Sequence, residues 1–235
     1  MRLDVIYHKS PKDMSEPNPG SVQMAVVFLP KPEGDLGLSD YLSGLGPVVA
    51  GCVRALARGG RMAVLVPVSV RRLDHSAPAL ITGMIMAKGL MLGWEIIWNK
   101  GAGTSPGSWG GWMSPSNPSF LDVHEHILVF WKGSPRLEPR ITGSRPDMSS
   151  SEFIEWVRTV WDVPDDGSGL PHEIPKRLIK IYTYPGDIIL DPFAGSGTMA
   201  AVAKALGRHY IGYEEDPEAY EIASEKLRGL QKGLF

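Results

Sequence analysis

A glycine-rich turn near the end of the chain has the residue types that bind a nucleoside. The segment that ends in Glu214 reads DIILDPFAGSGTMAAVAKALGRHYIGYE. An apolar strand ends in Asp191, a turn with Gly195 and Gly197 follows, and a helix begins near Thr198. Small residues let a ligand approach the backbone, and the start of the helix offers free N–H groups. A carboxylate about 20 residues beyond such a turn accepts both hydroxyls of a ribose.

Two common nucleotide-binding motifs are excluded by the same residues. Ala200 occupies the third glycine position of the dinucleotide pattern G-x-G-x-x-G, and no Gly-Lys-Ser/Thr of a phosphate loop follows. The pattern therefore predicts a nucleoside-binding βαβ unit.

The same segment resembles a known family. DPFAGSGT, followed by GRHYIGYEEDPEAYEIASEKL, is similar to the S-adenosylmethionine motif of amino-group DNA methyltransferases, with Met199 in place of a second Thr. The segment Ser105–Gly133 is similar to a characteristic stretch of the cytosine-N4 members, and Trp156–Asp162 with Pro164 and Pro175–Tyr184 also matches their pattern. The cofactor motif is C-terminal here, as in the permuted branch, where the catalytic half comes first.

The resemblance implies S-adenosyl-L-methionine as the cofactor and DNA as the substrate. Before the helix at Pro175 the family has an aromatic side chain that packs on the cofactor, and Leu170 stands in its place. The residues implied to bind the cofactor are Asp191, Pro192, Phe193, Ala194, Gly195, Ser196, Gly197, Thr198, Glu214 and Leu170.

The catalytic tetrapeptide of the family, Ser/Asp-Pro-Pro-Tyr, is degenerate in this chain. Its chemistry needs an oriented acceptor, because the lone pair of an exocyclic amine is delocalised into the base and its hydrogens must be held. The tyrosine of the tetrapeptide stacks on a flipped base. The corresponding positions are Phe28, Leu29, Pro30 and Lys31. Depending on the register, Phe28 or Leu29 takes the acceptor position and Lys31 or Pro32 the tyrosine position, so only a proline remains. Asp35, Asp40 and Tyr41 follow closely and are alternative acceptors.

The first strand also departs from the family. It is expected to end near a Gly-Asp that contacts the cofactor, and this chain has His8-Lys9-Ser10 there.

Basic and aromatic residues suggest contacts with nucleic acid. Arginine and lysine hold phosphates without reading sequence, and tryptophans stack on bases or wedge between them. Trp109 and Trp112 could also belong to a lid over the cofactor, because they lie in the long Gly/Ser/Pro loop Gly101–Asn117. The candidates are Arg71, Arg72, Trp109, Trp112, Lys132, Arg136, Arg140 and Arg145.

A metal site is not expected. His124 and His126 lie two apart on a predicted strand, so they share a face, but the pattern offers no third ligand.

The elements that position these residues alternate between strands and helices. Continuous apolar runs at Ser21–Phe28 and Arg61–Val66 are typical of strands that are covered on both faces. The other predicted strands are Leu3–Tyr7, Trp94–Asn99, His126–Trp131, Ile188–Leu190 and His209–Tyr213. The predicted helices are Asp40–Leu56, Pro78–Leu92, Ser151–Val160, Ile174–Tyr182, Thr198–Leu206 and Pro217–Leu227. Gly59-Gly60 is the predicted C-terminal cap of the first of them.

This alternation predicts an α/β protein with a Rossmann-like methyltransferase fold: a mostly parallel twisted sheet, helices on both faces and a terminal antiparallel strand pair. We expect a single domain over residues 1–235. Residues 1–93 form its catalytic half, residues 94–161 a tryptophan-rich nucleic-acid-contact region, and residues 162–235 the cofactor-binding half.

Composition limits the other possibilities. The chain has 235 residues, of which 43% are hydrophobic, and a formal net charge of −2, so it can bury a core and is not a polycationic coat protein. Cys52 is its single cysteine, which excludes an internal disulfide. No signal peptide or membrane span is seen, so we expect a cytoplasmic protein.

Three functions remain open at this point. The first is methylation of an exocyclic amine of DNA, at cytosine N4 rather than adenine N6, as in restriction-modification. The second is a weak or inactive member that binds nucleic acid or a partner subunit. The third is methylation of RNA or of a free base. The region available for target recognition is small, which favours a homodimer or a very short target site.

Overall fold

The computed structural model describes residues 1–30, 37–66, 76–101, 113–116, 123–167 and 169–232. Strands from all three predicted parts of the chain form one sheet. The strands are β1 Val5–His8, β2 Val22–Phe28, β3 Leu56–Val66, β4 Leu90–Asn99, β5 His124–Lys132, β6 Val160–Asp162, β7 Ile188–Asp191 and β8 His209–Glu214. The helices are α1 Leu38–Ala55, α2 Ala77–Met86, α3 Ser150–Trp156, α4 Glu173–Tyr182, α5 Thr198–Ala205 and α6 Pro217–Lys232.

The sheet order is β1-β8-β7-β2-β3-β5-β4-β6. Among the described strands, β5 alone runs against its neighbours, and it pairs with both β3 and β4. All the other pairings are parallel. The mostly parallel α/β sheet is confirmed. The antiparallel pair of β4 and β5 is not terminal as predicted, because β6 pairs in parallel with β4 and is the outermost strand.

Helices cover both faces of the sheet, and this explains the continuous apolar strands. Along β2, the side chains of Ala25 and Val27 enter the core under α1 and α2. Their neighbours Met24 and Val26 enter the core under α4, α5 and α6. Successive side chains of a strand point to opposite faces, so a strand covered on both sides needs apolar residues throughout.

One predicted helix cap and two predicted helix ends are wrong, in each case because a strand begins within the segment that was predicted to belong to the helix or its cap. Gly59 and Gly60 do not cap α1, which ends at Ala55, but lie inside β3. A Cβ at Gly59, where φ is +77°, would lie 2.0 Å from the carbonyl oxygen of Arg136, so glycine is required by a neighbouring segment. Similarly, α2 and α3 are shorter than predicted because β4 already begins at Leu90 and β6 at Val160.

Candidate cofactor and catalytic site

The carboxyl ends of the parallel strands lie side by side and form the carboxyl edge of the sheet, where ligands of open α/β folds bind. The amino ends of the same strands form the opposite, amino edge. Asp191 ends β7, Phe28 ends β2 and Glu214 ends β8. Since β7 pairs with both β2 and β8, sequence-distant residues meet at this edge.

A cavity of about 150 Å³ opens between β2, β7 and the glycine-rich turn. Its wall includes most of the residues predicted to bind the cofactor, and it also includes Val26, Phe28, Gly169 and Met199. The predicted residues in the wall are Leu170, Asp191, Phe193, Ala194, Gly195, Ser196 and Thr198. The sequence patterns gave no signal for Val26 or Gly169.

Two of the remaining members of the motif are buried and do not line the cavity. Pro192 and Gly197 are buried. Gly197 has φ +75°, and a Cβ there would lie 3.0 Å from the Cβ of Ala223 on α6, so this glycine permits close packing of two helices. By contrast, a Cβ at Gly195 would meet no heavy atom within 4 Å, so its backbone is open to a ligand.

Glu214 is held in place by the turn itself. Its Oε2 accepts a hydrogen bond from the Gly195 N–H at 2.7 Å, and its Oε1 accepts one from the Asp216 N–H at 2.8 Å. A carboxylate oxygen accepts more than one hydrogen bond, so both oxygens can still receive ribose hydroxyls.

Asp191 is a second carboxyl at this edge, and it is 7% exposed. Burial raises its pKa to about 7, and the negative charge of Glu214 adds to this rise. The hydrogen bond from the Phe193 N–H to Asp191 Oδ1, 3.1 Å long, opposes the rise.

Two hydroxyls at the start of α5 are tied to α6. The Lys226 ammonium donates to Ser196 Oγ and Thr198 Oγ1, both at 3.3 Å, and burial lowers the pKa of this lysine. Sequence reasoning did not find Lys226, because the contact depends on how the two helices pack.

The structure separates the roles of the degenerate catalytic positions. The Phe28 side chain faces the cofactor cavity, whereas Leu29 is 2% exposed and lies in the core on the opposite face of the sheet. The Leu29 N–H donates to the Leu65 carbonyl at 3.1 Å. Lys31 lies outside the described residues, as does the alternative acceptor Asp35.

Pro30 is braced by another of the alternative acceptors. The hydroxyl of Tyr41, which is 5% exposed, donates to the Pro30 carbonyl oxygen at 2.9 Å. Burial raises the pKa of Tyr41. Asp40 lies in the first turn of α1 and is exposed. In the described part of the chain, Phe28 thus takes the acceptor position without supplying an acceptor.

The described basic residues that were predicted to contact nucleic acid lie at the opposite edge of the sheet, where the amino ends of the parallel strands meet. Lys132 lies at the amino end of β3, about five residues along β2 from Phe28, a separation of roughly 17 Å. The Lys132 ammonium donates to the carbonyl oxygens of Val53 and Leu56, at 2.6 and 2.7 Å. It therefore caps the end of α1, and this geometry does not support the predicted phosphate contact.

Arg140 belongs to the same edge. Its Nε donates to the Gly186 carbonyl at 2.9 Å, and its backbone N–H donates to Asp187 Oδ1 at 3.1 Å. Arg136 and Arg145 are exposed, and no contact of theirs in the described structure tests the DNA contact that the sequence predicts. The other predicted contacts, Arg71, Arg72, Trp109 and Trp112, lie outside the described residues.

A larger cavity, of about 660 Å³, also lies at this far edge, beside Arg61, Arg136 and Tyr182. The described residues of its wall include neither the glycine-rich turn nor a carboxylate. The smaller cavity, despite its volume, is therefore the one whose wall has the residue types predicted to bind the cofactor.

One histidine of the pair on β5 lies within hydrogen-bond distance of a glutamate on β4. His124 and His126 share a face, with ring centroids 5.2 Å apart, and His126 Nδ1 lies 2.7 Å from Glu95 Oε1. Within the described ranges, no group of three His, Cys, Asp or Glu side chains is arranged to hold a metal ion. None of the helices in these ranges is long and apolar enough to cross a membrane.

This sheet order, with a glycine-rich turn after one central strand and a carboxylate ending the next, defines the Rossmann-like methyltransferase class. The solved structures similar to this chain include TTHA0409 from Thermus thermophilus, with a TM-score of 0.80, 26% identity and coverage of 96% of this chain and 94% of that one. A structure of TTHA0409 complexed with S-adenosyl-L-methionine gives a TM-score of 0.77 and 24% identity over 96% and 93% of the two chains.

The chain belongs to the DNA methylase family, whose profile matches residues 30–225. Among curated relatives, the type II methyltransferase M.MjaI of Methanocaldococcus jannaschii is 33% identical over 155 residues, which are 59% of this chain and 50% of M.MjaI. The matched regions span half or less of the curated relatives.

Proposed function

We propose that this chain is an S-adenosylmethionine-dependent methyltransferase that acts on an exocyclic amine of DNA, at cytosine N4 rather than adenine N6. The observation that carries the proposal is one shared cavity. Phe28, at the catalytic position of β2, lines the same space as Asp191 and Gly195 of the cofactor turn. Direct transfer needs the amine and the methyl group in line, and placing both in one cavity provides that alignment.

The residues of this edge fit the cofactor. Glu214 would hold the ribose hydroxyls, the open backbone at Gly195 would let the nucleoside approach, and Leu170 would pack on the methionine part. When bound, the cofactor supplies an electrophilic methyl group on a sulfonium. The chain's own residues at this edge would orient that group toward the target amine.

The preference for cytosine N4 rests on the resemblance of Ser105–Gly133 to the cytosine-N4 members. The described part of this segment includes β5, the reversed strand beside β3. RNA and a free base are alternative substrates, which the assay below distinguishes.

Phe28 is expected to keep turnover low. An aromatic ring cannot accept the hydrogens of the amine, and Leu29 points into the opposite core, so within the described tetrapeptide positions 28–30 only backbone carbonyls are left as acceptors. Removing one oriented acceptor of this kind costs about 100-fold or more in rate. This observation favours a second candidate, a member that binds cofactor and nucleic acid with little or no transfer.

Methyl transfer by Phe28→Ser and Phe28→Ala tests the proposal. Both variants remove the ring, but only serine adds an acceptor, so we expect Phe28→Ser to transfer methyl groups to DNA at least tenfold faster than Phe28→Ala. The assay uses tritiated S-adenosylmethionine with duplex DNA, RNA and free cytosine. Mass spectrometry of digested DNA distinguishes N4-methylcytosine from N6-methyladenine. Leu29 is left unchanged, because proline there would remove its hydrogen bond to Leu65.

Calorimetry with S-adenosylhomocysteine is the control for an intact cofactor site. If all proteins bind this ligand and none transfers a methyl group, the second candidate is correct. Robust transfer by the unaltered chain would show that another acceptor replaces the missing side chain. Transfer confined to RNA or free cytosine would assign the third function.

A further inference from the structure

A mostly buried lysine at the carboxyl edge joins two carboxylates from different segments. The Lys100 ammonium forms an ion pair with Glu125 Oε1 and a second one with Asp165 Oδ2, at 3.6 Å. It also lies 4.9 Å from the centre of the Trp98 ring. The side chain of Lys100 is 15% exposed and that of Glu125 6%. Among the described residues that line the cofactor cavity, none belongs to this group.

The partners of Lys100 come from separate parts of the sheet. Lys100 directly follows β4, and Glu125 lies on β5, the reversed strand. The Lys100 N–H donates to the Val123 carbonyl at 2.8 Å, which holds the backbone of the lysine against the start of β5. Asp165 follows β6, and its N–H donates to the Lys100 carbonyl at 3.4 Å. The ammonium therefore joins the segment after β6 to the adjoining ends of β4 and β5.

The segment after β6 leads directly to the cofactor cavity. Asp165 Oδ1 accepts a hydrogen bond from the Gly167 N–H at 2.9 Å. The carboxylate thus contacts Lys100 through one oxygen and turns the chain with the other. Gly169 and Leu170 follow, and both line the cavity. Leu170 also packs against the core under α4, α5 and α6.

We propose that Lys100 is a positioning residue for the cofactor, because through Asp165 it holds the turn that presents Leu170 to the cavity. The inference rests on the proposed function and adds to it a residue that does not itself line the cavity. A buried ion pair often gives little net stability, since the cost of desolvating two charges offsets their attraction. It does specify one arrangement, because displacing one charge leaves the other buried and unpaired. The arrangement specified here places Leu170 in the cavity wall.

Calorimetric affinity for S-adenosylhomocysteine tests this role. Lys100→Met combined with Glu125→Gln removes both buried charges together, so neither is left unpaired. We expect this double variant to bind the ligand about tenfold more weakly, because Asp165 loses its partner and the wall at Leu170 is no longer held. Lys100→Arg keeps the positive charge and should bind within threefold of the unaltered chain.

An ion pair at the amino edge provides the matched control. Lys180 Nζ lies 2.7 Å from Glu152 Oε1, and this pair is also mostly buried. Lys180→Met combined with Glu152→Gln should leave the affinity within twofold of that of the unaltered chain. Equal weakening by this control would overturn the inference, because the loss would then follow from removing any buried ion pair.

A double-mutant cycle with Leu170→Ala distinguishes positioning from a general loss of stability. Leu170→Ala removes the side chain that the lysine positions. Adding Lys100→Met and Glu125→Gln to it should therefore weaken binding by less than a further threefold. Effects that multiply independently would overturn the path through Leu170.

Asp165→Asn provides the same test if the charge-free double variant does not fold. It leaves the pair of Lys100 with Glu125 in place and keeps an acceptor for the Gly167 N–H, and it should bind about threefold more weakly. Unchanged affinity in the folded variants would overturn the inference and leave the proposed function intact. No binding of S-adenosylhomocysteine to the unaltered chain would overturn both.

Discussion

At the scale of single residues, the site depends on which face of the sheet each side chain takes and on how deeply it is buried. Phe28 and Leu29 are adjacent in sequence but point to opposite faces, so only Phe28 reaches the cofactor cavity. Asp191 is buried at the same edge, close to Glu214. The chemistry of this edge therefore follows from where each strand ends and which face each side chain takes.

Asp191 should make stability depend on pH near neutrality. Its pKa in the folded protein is about 7, above the value of about 3.9 for an exposed aspartate. Between these two pH values the folded state holds a proton that the unfolded state releases, so this group's contribution to the free energy of unfolding falls as pH rises. Urea unfolding of Asp191→Asn, compared with the unaltered chain, should show a smaller loss of stability between pH 4.5 and 7.5. Parallel pH curves for the two proteins would contradict this.

At the scale of elements, the glycine-rich turn joins β7 to α5 and uses its two glycines differently. Gly197 allows α5 to pack on Ala223 of α6, and Gly195 leaves the backbone open toward the ligand. The turn thus packs α5 against α6, and under the proposed function it also binds the cofactor.

Substitution of each glycine by alanine separates these roles. Gly195→Ala should weaken S-adenosylhomocysteine binding at least tenfold. Its loss of stability should be limited to the backbone strain at φ +50°, since its new methyl group enters open space. Gly197→Ala should lower the melting temperature more, because its Cβ would press on Ala223 at 3.0 Å. Calorimetry and thermal unfolding are measured on both. Equal stability losses would show that the close approach to α6 is relieved by a small shift.

At the scale of the whole molecule, the carboxyl and amino edges of the sheet carry different features. The carboxyl edge holds the cavity that we propose for the cofactor. The amino edge holds the segment after β5, which is fastened by Arg208, whose guanidinium donates to Asp147, Thr183 and Leu206. A duplex whose base enters the cavity would meet the carboxyl edge, so we expect the exposed arginines of the amino edge to take no part in DNA binding.

Removing two of those charges tests this separation. Arg136→Gln combined with Arg145→Gln should leave the salt dependence of DNA affinity unchanged, because counterion release counts only phosphates that the protein neutralises. Fluorescence anisotropy at several salt concentrations measures the slope. A slope reduced by about two would place DNA across the amino edge, as the sequence analysis predicted.

The sequence by itself determined the features that depend on local spacing. The turn at Asp191–Thr198, the carboxylate Glu214 and the alternation of strands with helices all follow from contiguous patterns. A strand, a tight turn and a helix start are each specified by a few neighbouring residues, so no distant contact is needed to predict them.

The tertiary structure alone decided which distant residues meet. The stacking of His8 on Tyr220, the carbonyl of Arg136 beside Gly59 and the capping of α1 by Lys132 depend on sheet register and on helix packing. The orientation of Phe28 toward the cavity depends on which face of β2 each group of helices covers. A strand that is apolar on both faces carries no alternation in its sequence, so the pattern of β2 could not tell its two faces apart.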